Sequence, residues 1–257
     1  MSKAAIRYDL AFDNPVSDKR VDILRALGET GSISEAARQC GVSYKAAWQA
    51  VETLSNLAGV PLVHKSVGGT GGGGAQLTEA GLQVLEAAAE LQEAQRRVMD
   101  RLKGSAGFAL DTGRLAGLGL RTSMRNHLPA VVRAVRAQAG HVRVQMELLG
   151  GLPLHATITR ESRQLLGLEA GLQVLALCKA SGVVLNRDDC PSPGVNALPG
   201  QVSRVAPAKG PAEATVQLAP GLQLVGFADP NLRQRLAVGQ PVTAHVPEAA
   251  VVIGLLG

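Results

Sequence analysis

The segment NHLPAVVRAV, starting at Asn126, returns in altered form as NALPGQVSRV starting at Asn196, 70 residues later. A second mark agrees in spacing: Gly171 in LLGLEAGLQVLAL and Gly239 in RLAVGQPVTAHV lie 68 residues apart. A chain that repeats at this interval builds its second half from two copies of one small unit. Apolar and polar residues alternate in HVRVQMELLGG, LPLHATIT, GLQVLALCKAS, ATVQLAPG, LQLVGFAD and PVTAHVPEAAVVIGLL, the period of half-buried strands. About five short strands and one helical turn per copy predict two OB-like β-barrels in tandem, over 121–190 and 191–257. With one Trp, two Tyr and three Phe in 257 residues, the interiors must be filled by aliphatic side chains of modest size.

The first half has a different period. VDILRALGET places Val21, Ile23, Leu24 and Leu27 at helical spacing and Gly31 stops the run. In SISEAARQCGVSYKAAWQAVETLSNLAG, Ser34 is the expected cap of a short helix ending at Gln39, Gly41 makes a turn, and Ser43 caps a longer helix to Leu57. Ile33, Ala36, Ala37 and Val42 supply the contact between two steeply crossed helices, and Trp48 reads as core. Tyr44, Lys45, Gln49 and Ser55 are left facing outward. This is a helix-turn-helix pattern. Leu62, Val63 and His64 begin a strand that returns through Gln76, Leu77 and Thr78, giving a hairpin wing. Gly71 to Gly74 at its tip lack the Gly-Lys-Ser/Thr sequel of a nucleotide-binding loop, so they read as a flexible tip set against a DNA backbone.

Residues 79–103 then carry Val84, Ala88, Leu91, Gln95, Val98 and Leu102 at alternating four- and three-residue steps, a seam that asks for a partner helix. Packing against its own small domain would leave much of this length uncovered, so a homodimer is expected. The division is 1–103, a winged helix-turn-helix with a dimerisation helix; 104–120, a linker; and the two β units. The class is α+β multidomain.

Before residue 120 the chain has 13 basic and 13 acidic residues; after it, 13 and 8. The surplus of cation thus sits in the β half, where it suits a small anion as well as nucleic acid. Cys40, Cys178 and Cys190 are odd in number and have no paired metal spacing, which suits buried thiols in a reducing compartment. No stretch has the apolar length of a membrane span or the pattern of a signal peptide, so no membrane association and a cytoplasmic location are expected. The histidines are scattered without metal spacing, and no nucleophile–base or paired-carboxylate arrangement points to an enzyme.

Ser123 and Arg125, two apart in TSMRNHLPAVV, share one face of an extended segment, with Thr122 and Asn126 flanking them. TITRESRQ sets Thr159 and Ser162 at the start of a helical turn, where free N–H groups favour an anion. Lys179 and Ser181 end the strand LALCKAS. Hydroxyl, amide and cationic donors of this kind are what a tetrahedral oxyanion requires. The plainer reading of Arg125 alone is a surface ion pair with Glu147 or Glu161. In the second copy the donors are gone: the 70-residue shift sets Pro193 and Val195 against Ser123 and Arg125, and the 68-residue shift sets Phe227, Pro230 and Pro247 against Thr159, Ser162 and Lys179. The second unit is therefore expected to be structural or to bind more weakly.

TSMRNHLPAVV resembles the Ser-x-Arg-Asn-x-Leu-x-x-x-Val motif of the oxyanion-binding Mop, or molbindin, domains. Preceded by a helix-turn-helix like that of LysR-type regulators, the arrangement is similar to the ModE family of molybdate-responsive transcription regulators, over residues 20–257. Met124 and His127 depart from the residues often found at those places. The resemblance implies a dimer in which Ser123 and Arg125 of one subunit meet Thr159, Ser162, Lys179, Ala180 and Ser181 of the other around molybdate. Tungstate, close in size and charge, should substitute, and the smaller sulfate should be rejected by a site formed for the larger ion. It implies a double-stranded DNA operator read through Ser43, Tyr44, Lys45 and Gln49, with His64 and Lys65 on the wing, and repression of molybdate-uptake genes. The alternative is molybdate or tungstate storage by the β half.

Overall fold

The computed structural model describes residues 18–65, 74–103, 122–187, 192–206, 212–230, 232 and 236–255. The expected glycine-rich wing tip, the 104–120 linker and Cys190 fall largely or wholly outside these residues. The chain divides into two compact units, one formed by 1–112 with 160–167, the other by 113–159 with 168–256.

In the first unit, α1 (Lys19–Thr30) ends at Gly31, whose left-handed backbone (φ 65°) returns its N–H to the Leu27 carbonyl at 2.9 Å. α2 (Ile33–Gln39) begins two residues earlier than expected: Ser32, not Ser34, is the cap, its hydroxyl accepting the Glu35 N–H. Ser43 caps α3 (Tyr44–Ala58) as expected, accepting the Ala46 N–H at 3.2 Å. Ile23, Leu27, Ile33, Ala36, Ala37, Ala47, Ala50 and Val51 are buried together, and the alanines let the three helices cross closely. Trp48 packs on the margin of this core, edge-on to Tyr44. Ser55 does not face outward as read; its hydroxyl accepts the Leu62 N–H at 3.2 Å and fixes the turn out of α3.

β1 (Val63–Lys65) and β2 (Ala75–Leu77) pair antiparallel, His64 opposite Gln76. Thr78 caps α4 (Glu79–Lys103), accepting the Gly81 N–H at 3.0 Å. A Cβ at Gly81 would lie 2.4 Å from the Leu62 carbonyl oxygen, so this helix can leave the hairpin only through glycine. Val84 packs on Leu24, Leu54 and Leu62, whereas Leu82 and Leu91 are 59% and 62% exposed. The short helix α5 (Arg160–Leu165) completes the unit, with Leu165 against the three-helix core.

Among the described residues the second unit holds ten strands: β3 (Asn126–Ala137), β4 (Val142–Leu148), β5 (Pro153–Ile158), β6 (Gln173–Cys178) and β7 (Val184–Asn186) from the first repeat; β8 (Val195–Val205), β9 (Glu213–Ala219), β10 (Leu222–Ala228), β11 (Pro241–Pro247) and β12 (Val252–Leu255) from the second. Alternate side chains along β3, β4 and β10 are buried, as the period predicts. The repeat extends to fine detail. Both long strands bulge at the same place, after Val132 and after Val202, and in each that valine's carbonyl accepts a glycine N–H at 2.8 Å, from Gly171 and Gly239.

The expected pair of OB-like barrels, one per repeat, is overturned. The first sheet runs β12-β6-β3-β4-β5 and stays open between β12 and β5. The second, β10-β7-β11-β8-β9, curls round through a parallel contact of only two residue pairs, Phe227 with Val184 and Ala228 with Leu185. Each sheet also takes its last strand from the other repeat: β12 pairs with β6, and β7 with β11. Neither sheet is a barrel made by its own repeat. The exchange follows from two short turns of 3-10 helix, Ala180–Gly182 and Glu248–Ala250, each of which precedes the strand that crosses over. Among the described residues no helix is long and apolar enough to cross a membrane.

Candidate oxyanion site and DNA-reading face

In the second unit the β3–β6 ladder ends at the pair Asn126–Cys178. The next residues outward are Arg125 and Lys179, so the register brings these two cations to the same end of the sheet. Ser123 and Lys179 are exposed, and Lys179 leads into the 3-10 turn that carries Ala180 and Ser181. The first backbone N–H groups of such a turn have no partner within it. Cys178, buried under this end, has its thiol pKa pushed up by burial, which keeps it neutral.

Arg125 does not pair with Glu147 or Glu161. It makes a 2.5 Å ion pair with Glu213, the first residue of β9, and the carboxylate's hydrogen bond holds the guanidinium even more firmly protonated than usual. Glu147 is bound by Arg133 and Glu161 by Lys45. Half of the Arg125 side chain stays in solvent. Thr122 turns back on its own loop, its hydroxyl accepting the Met124 N–H at 3.0 Å, and the His127 ring meets the Met124 carbonyl at 2.8 Å. The Thr122 hydroxyl and the His127 ring thus brace the loop that presents Ser123 and Arg125, both through the Met124 backbone.

Asn126 is buried, and its amide is taken by the neighbouring repeat: Nδ2 donates to the Val225 carbonyl at 2.9 Å and Oδ1 accepts the Val225 N–H at 2.7 Å. Asn196 grips His155 in the same way, donating at 2.9 Å and accepting at 2.7 Å. Thr159 follows β5, whose Ile158 is opposite Val142, itself opposite Ala137. It thus lies at the far end of β3 from Arg125, about 35 Å along the twelve-residue strand. One chain does not bring Thr159 to Arg125 and Lys179. Ser162 lies on α5.

A constellation that the sequence reading missed is Arg143 with Glu248. The guanidinium donates twice to the carboxylate, at 2.6 and 2.9 Å, and the Thr157 hydroxyl adds a third contact at 3.4 Å. Glu248 is 6% exposed, and the Arg143 hydrogen bond holds its carboxyl below the usual range. Burial, then the nearby Arg143 charge, lowers the pKa of His155. The signal was the 68-residue shift, which sets Glu248 against Ala180 at the head of the equivalent turn.

In the first unit Tyr44, Lys45 and Gln49 are exposed along one side of α3, and His64 is exposed on β1; Lys65 is placed by its backbone opposite Ala75. Ser43 is exposed at the head of α3. Among the described residues no group of three His, Cys, Asp or Glu side chains is arranged to hold a metal ion.

The bacterial regulatory helix-turn-helix family of lysR type matches residues 19–82, and the TOBE domain matches residues 122–185. The chain is 35% identical to the molybdenum-pterin-binding protein MopB of Rhodobacter capsulatus over 92% of its own length and 89% of that protein. It is 31% identical to the DNA-binding transcriptional dual regulator ModE of Escherichia coli K12 over 93% and 92% of the two chains, and 34% identical to the transcriptional regulator ModE of Yersinia pestis over 93% and 92%. The crystal structure of the cytoplasmic molybdate-binding protein ModG with molybdate bound aligns with a TM-score of 0.50 and 28% identity, covering 53% of this chain and 99% of that one. With the lysR-type helices at one end, the TOBE match at the other and ModE relatives spanning both, the chain belongs to the ModE/Mop family of regulators, which join a LysR-type winged helix-turn-helix to Mop/TOBE domains.

Proposed function

We propose that the chain is a molybdate-responsive transcription regulator whose first repeat holds the oxyanion at the Arg125–Lys179 end of its sheet. The observation that carries this reading is the register that sets Arg125 beside Lys179, on a chain that also bears a lysR-type reading head. Two cations, the hydroxyls of Ser123 and Ser181 and the N–H groups leading the 3-10 turn converge as a tetrahedral dianion needs. Asn126 braces this end from within. Thr159, at the opposite end of β3, joins such a site only from a second copy of the chain, and Ser162 comes with it. That division supports a site shared across a homodimer, with Arg125 and Lys179 on the same side of it. Leu91, exposed on α4 and part of the seam from Val84 to Leu102, marks the face for the partner helix.

In this proposal the bound anion favours the dimer geometry that spaces two α3 helices over an operator, and the loaded dimer represses molybdate-uptake genes. Tungstate, close in size and charge, substitutes; sulfate is too small to reach all donors. Calorimetric titration with molybdate, tungstate and sulfate in turn tests the site. Uptake near one molybdate per chain, equal for tungstate and silent for sulfate, is the expected result; sulfate binding as tight as molybdate overturns the assignment. Storage without regulation predicts the same heats but no effect of molybdate on DNA binding.

A further inference from the structure

The helix α5 meets the head of α3. The Gln164 side-chain carbonyl accepts the backbone N–H of Ser43 at 3.0 Å, and the Glu161 carboxylate pairs with Lys45 at 2.9 Å. Leu165 anchors the helix on the core beneath. Ser43 and Lys45 are the residues at the leading end of the recognition helix, where a backbone N–H and a lysine meet phosphate in helix-turn-helix complexes. Glu161 and Gln164 offer these two donors the same partners a DNA strand offers, one anionic oxygen and one neutral oxygen acceptor.

We propose that α5 is a built-in phosphate mimic that masks the reading head and must leave α3 before DNA can dock. Glu161 placed at that surface would repel a phosphate, so the docked helix and the DNA backbone exclude each other. The Lys45 side chain is 79% exposed, which keeps the contact weak and readily exchanged. The inference rests on the DNA-reading role of α3. It gives Ser162, between Glu161 and Gln164, a mechanical meaning: an anion that draws Ser162 into its site draws the mask off α3 as well.

The test uses the full chain without molybdate and a labelled random-sequence duplex followed by fluorescence anisotropy, because phosphate contacts do not depend on base sequence. Glu161→Gln and Gln164→Ala should each tighten binding by about two- to fivefold and together by about tenfold. Lys45→Ala in the same titration should weaken it. If wild type binds, Lys45→Ala weakens binding and neither α5 variant tightens it, the mask is overturned while the reading head stands. If wild type and Lys45→Ala show no difference, α3 does not read DNA through this end and the mask falls with it. Hydrogen exchange on the unmodified protein gives a second check: residues 160–167 should exchange faster when duplex is added, and unchanged or slower exchange overturns the proposal.

Discussion

Each repeat ends beside an arginine paired with a glutamate, but the two pairs are built in opposite senses. At the first end the arginine, Arg125, belongs to the loop before β3, and the carboxylate comes from Glu213 on the other repeat. At the second end the carboxylate, Glu248, heads the 3-10 turn itself, and the arginine comes from Arg143 on the other repeat. Glu213 stands 70 residues after Arg143, so one position of the repeat supplies the acid in one copy and the base in the other. The consequence is a difference in openness. Arg125 is half in solvent with a partner that can be exchanged, whereas the Glu248 side chain is 7% exposed and held by three hydrogen bonds. The first end presents a cation to an incoming anion; the second has its anion covalently built in.

The largest effect that separates the two ends is expected from Arg125→Ala. Removing a charge-assisted donor to a dianion should lower molybdate affinity about a hundredfold or more by calorimetry. The same variant should leave the urea midpoint nearly unchanged, since the pair with Glu213 is largely solvated. A large loss of stability with little loss of affinity would make Arg125 the structural arginine and reverse the comparison.

Glu248→Ala should do the converse. It leaves Arg143 on β4 and Thr157 on β5 without their shared acceptor, at a cost of about 2 kcal/mol in urea denaturation, less than for a fully buried pair because Arg143 keeps 40% of its side-chain exposure. Molybdate affinity should move by less than about threefold. A hundredfold change in affinity would show that the second end also shapes the site.

What was legible in the sequence follows from what alternation encodes. Period-two patterning reports which face of a strand is buried, and the burial of β3 and β4 follows it. It does not report which strand lies alongside. The exchange of β7 and β12 rests on segments of three and four residues, too short to carry a partner signal, and it is why two closed units were expected. Asn126 shows another limit. Its spacing groups it with the anion donors, yet its amide is engaged with Val225. The second copy held the clue: it keeps the asparagine as Asn196 while losing serine and arginine to Pro193 and Val195, so asparagine has a task that outlasts the donors. Glu213, far from TSMRNHLPAVV in the chain, has no such signal.

A smaller effect sharpens the comparison through pH. The Arg143 hydrogen bond lowers the folded-state pKa of Glu248, so its contribution to stability is present above the ordinary carboxylate range and is lost as pH falls through the lowered value. Between about pH 7 and about pH 3, wild type should lose more of its urea midpoint than Glu248→Gln does. Equal losses would mean that Glu248 is no more tightly held than a surface carboxylate.

The smallest effect is expected at Glu213, where it bears directly on whether the first end is open. If the Glu213 carboxylate competes with the oxyanion for Arg125, Glu213→Gln should strengthen molybdate binding by about two- to fivefold, since an exposed pair of this kind is weak. If instead Glu213 holds the guanidinium in its binding posture, the same change should weaken binding, because a freed arginine must be ordered anew when the anion arrives. The sign decides between a competitor and a support. Exposure favours the competitor: Glu213 keeps 23% of its side chain in solvent against 7% for Glu248, and it meets Arg125 through a single nitrogen–oxygen pair rather than a fork. A carboxylate bound through one bond can swing out while the incoming dianion takes over both the charge and the hydrogen bond.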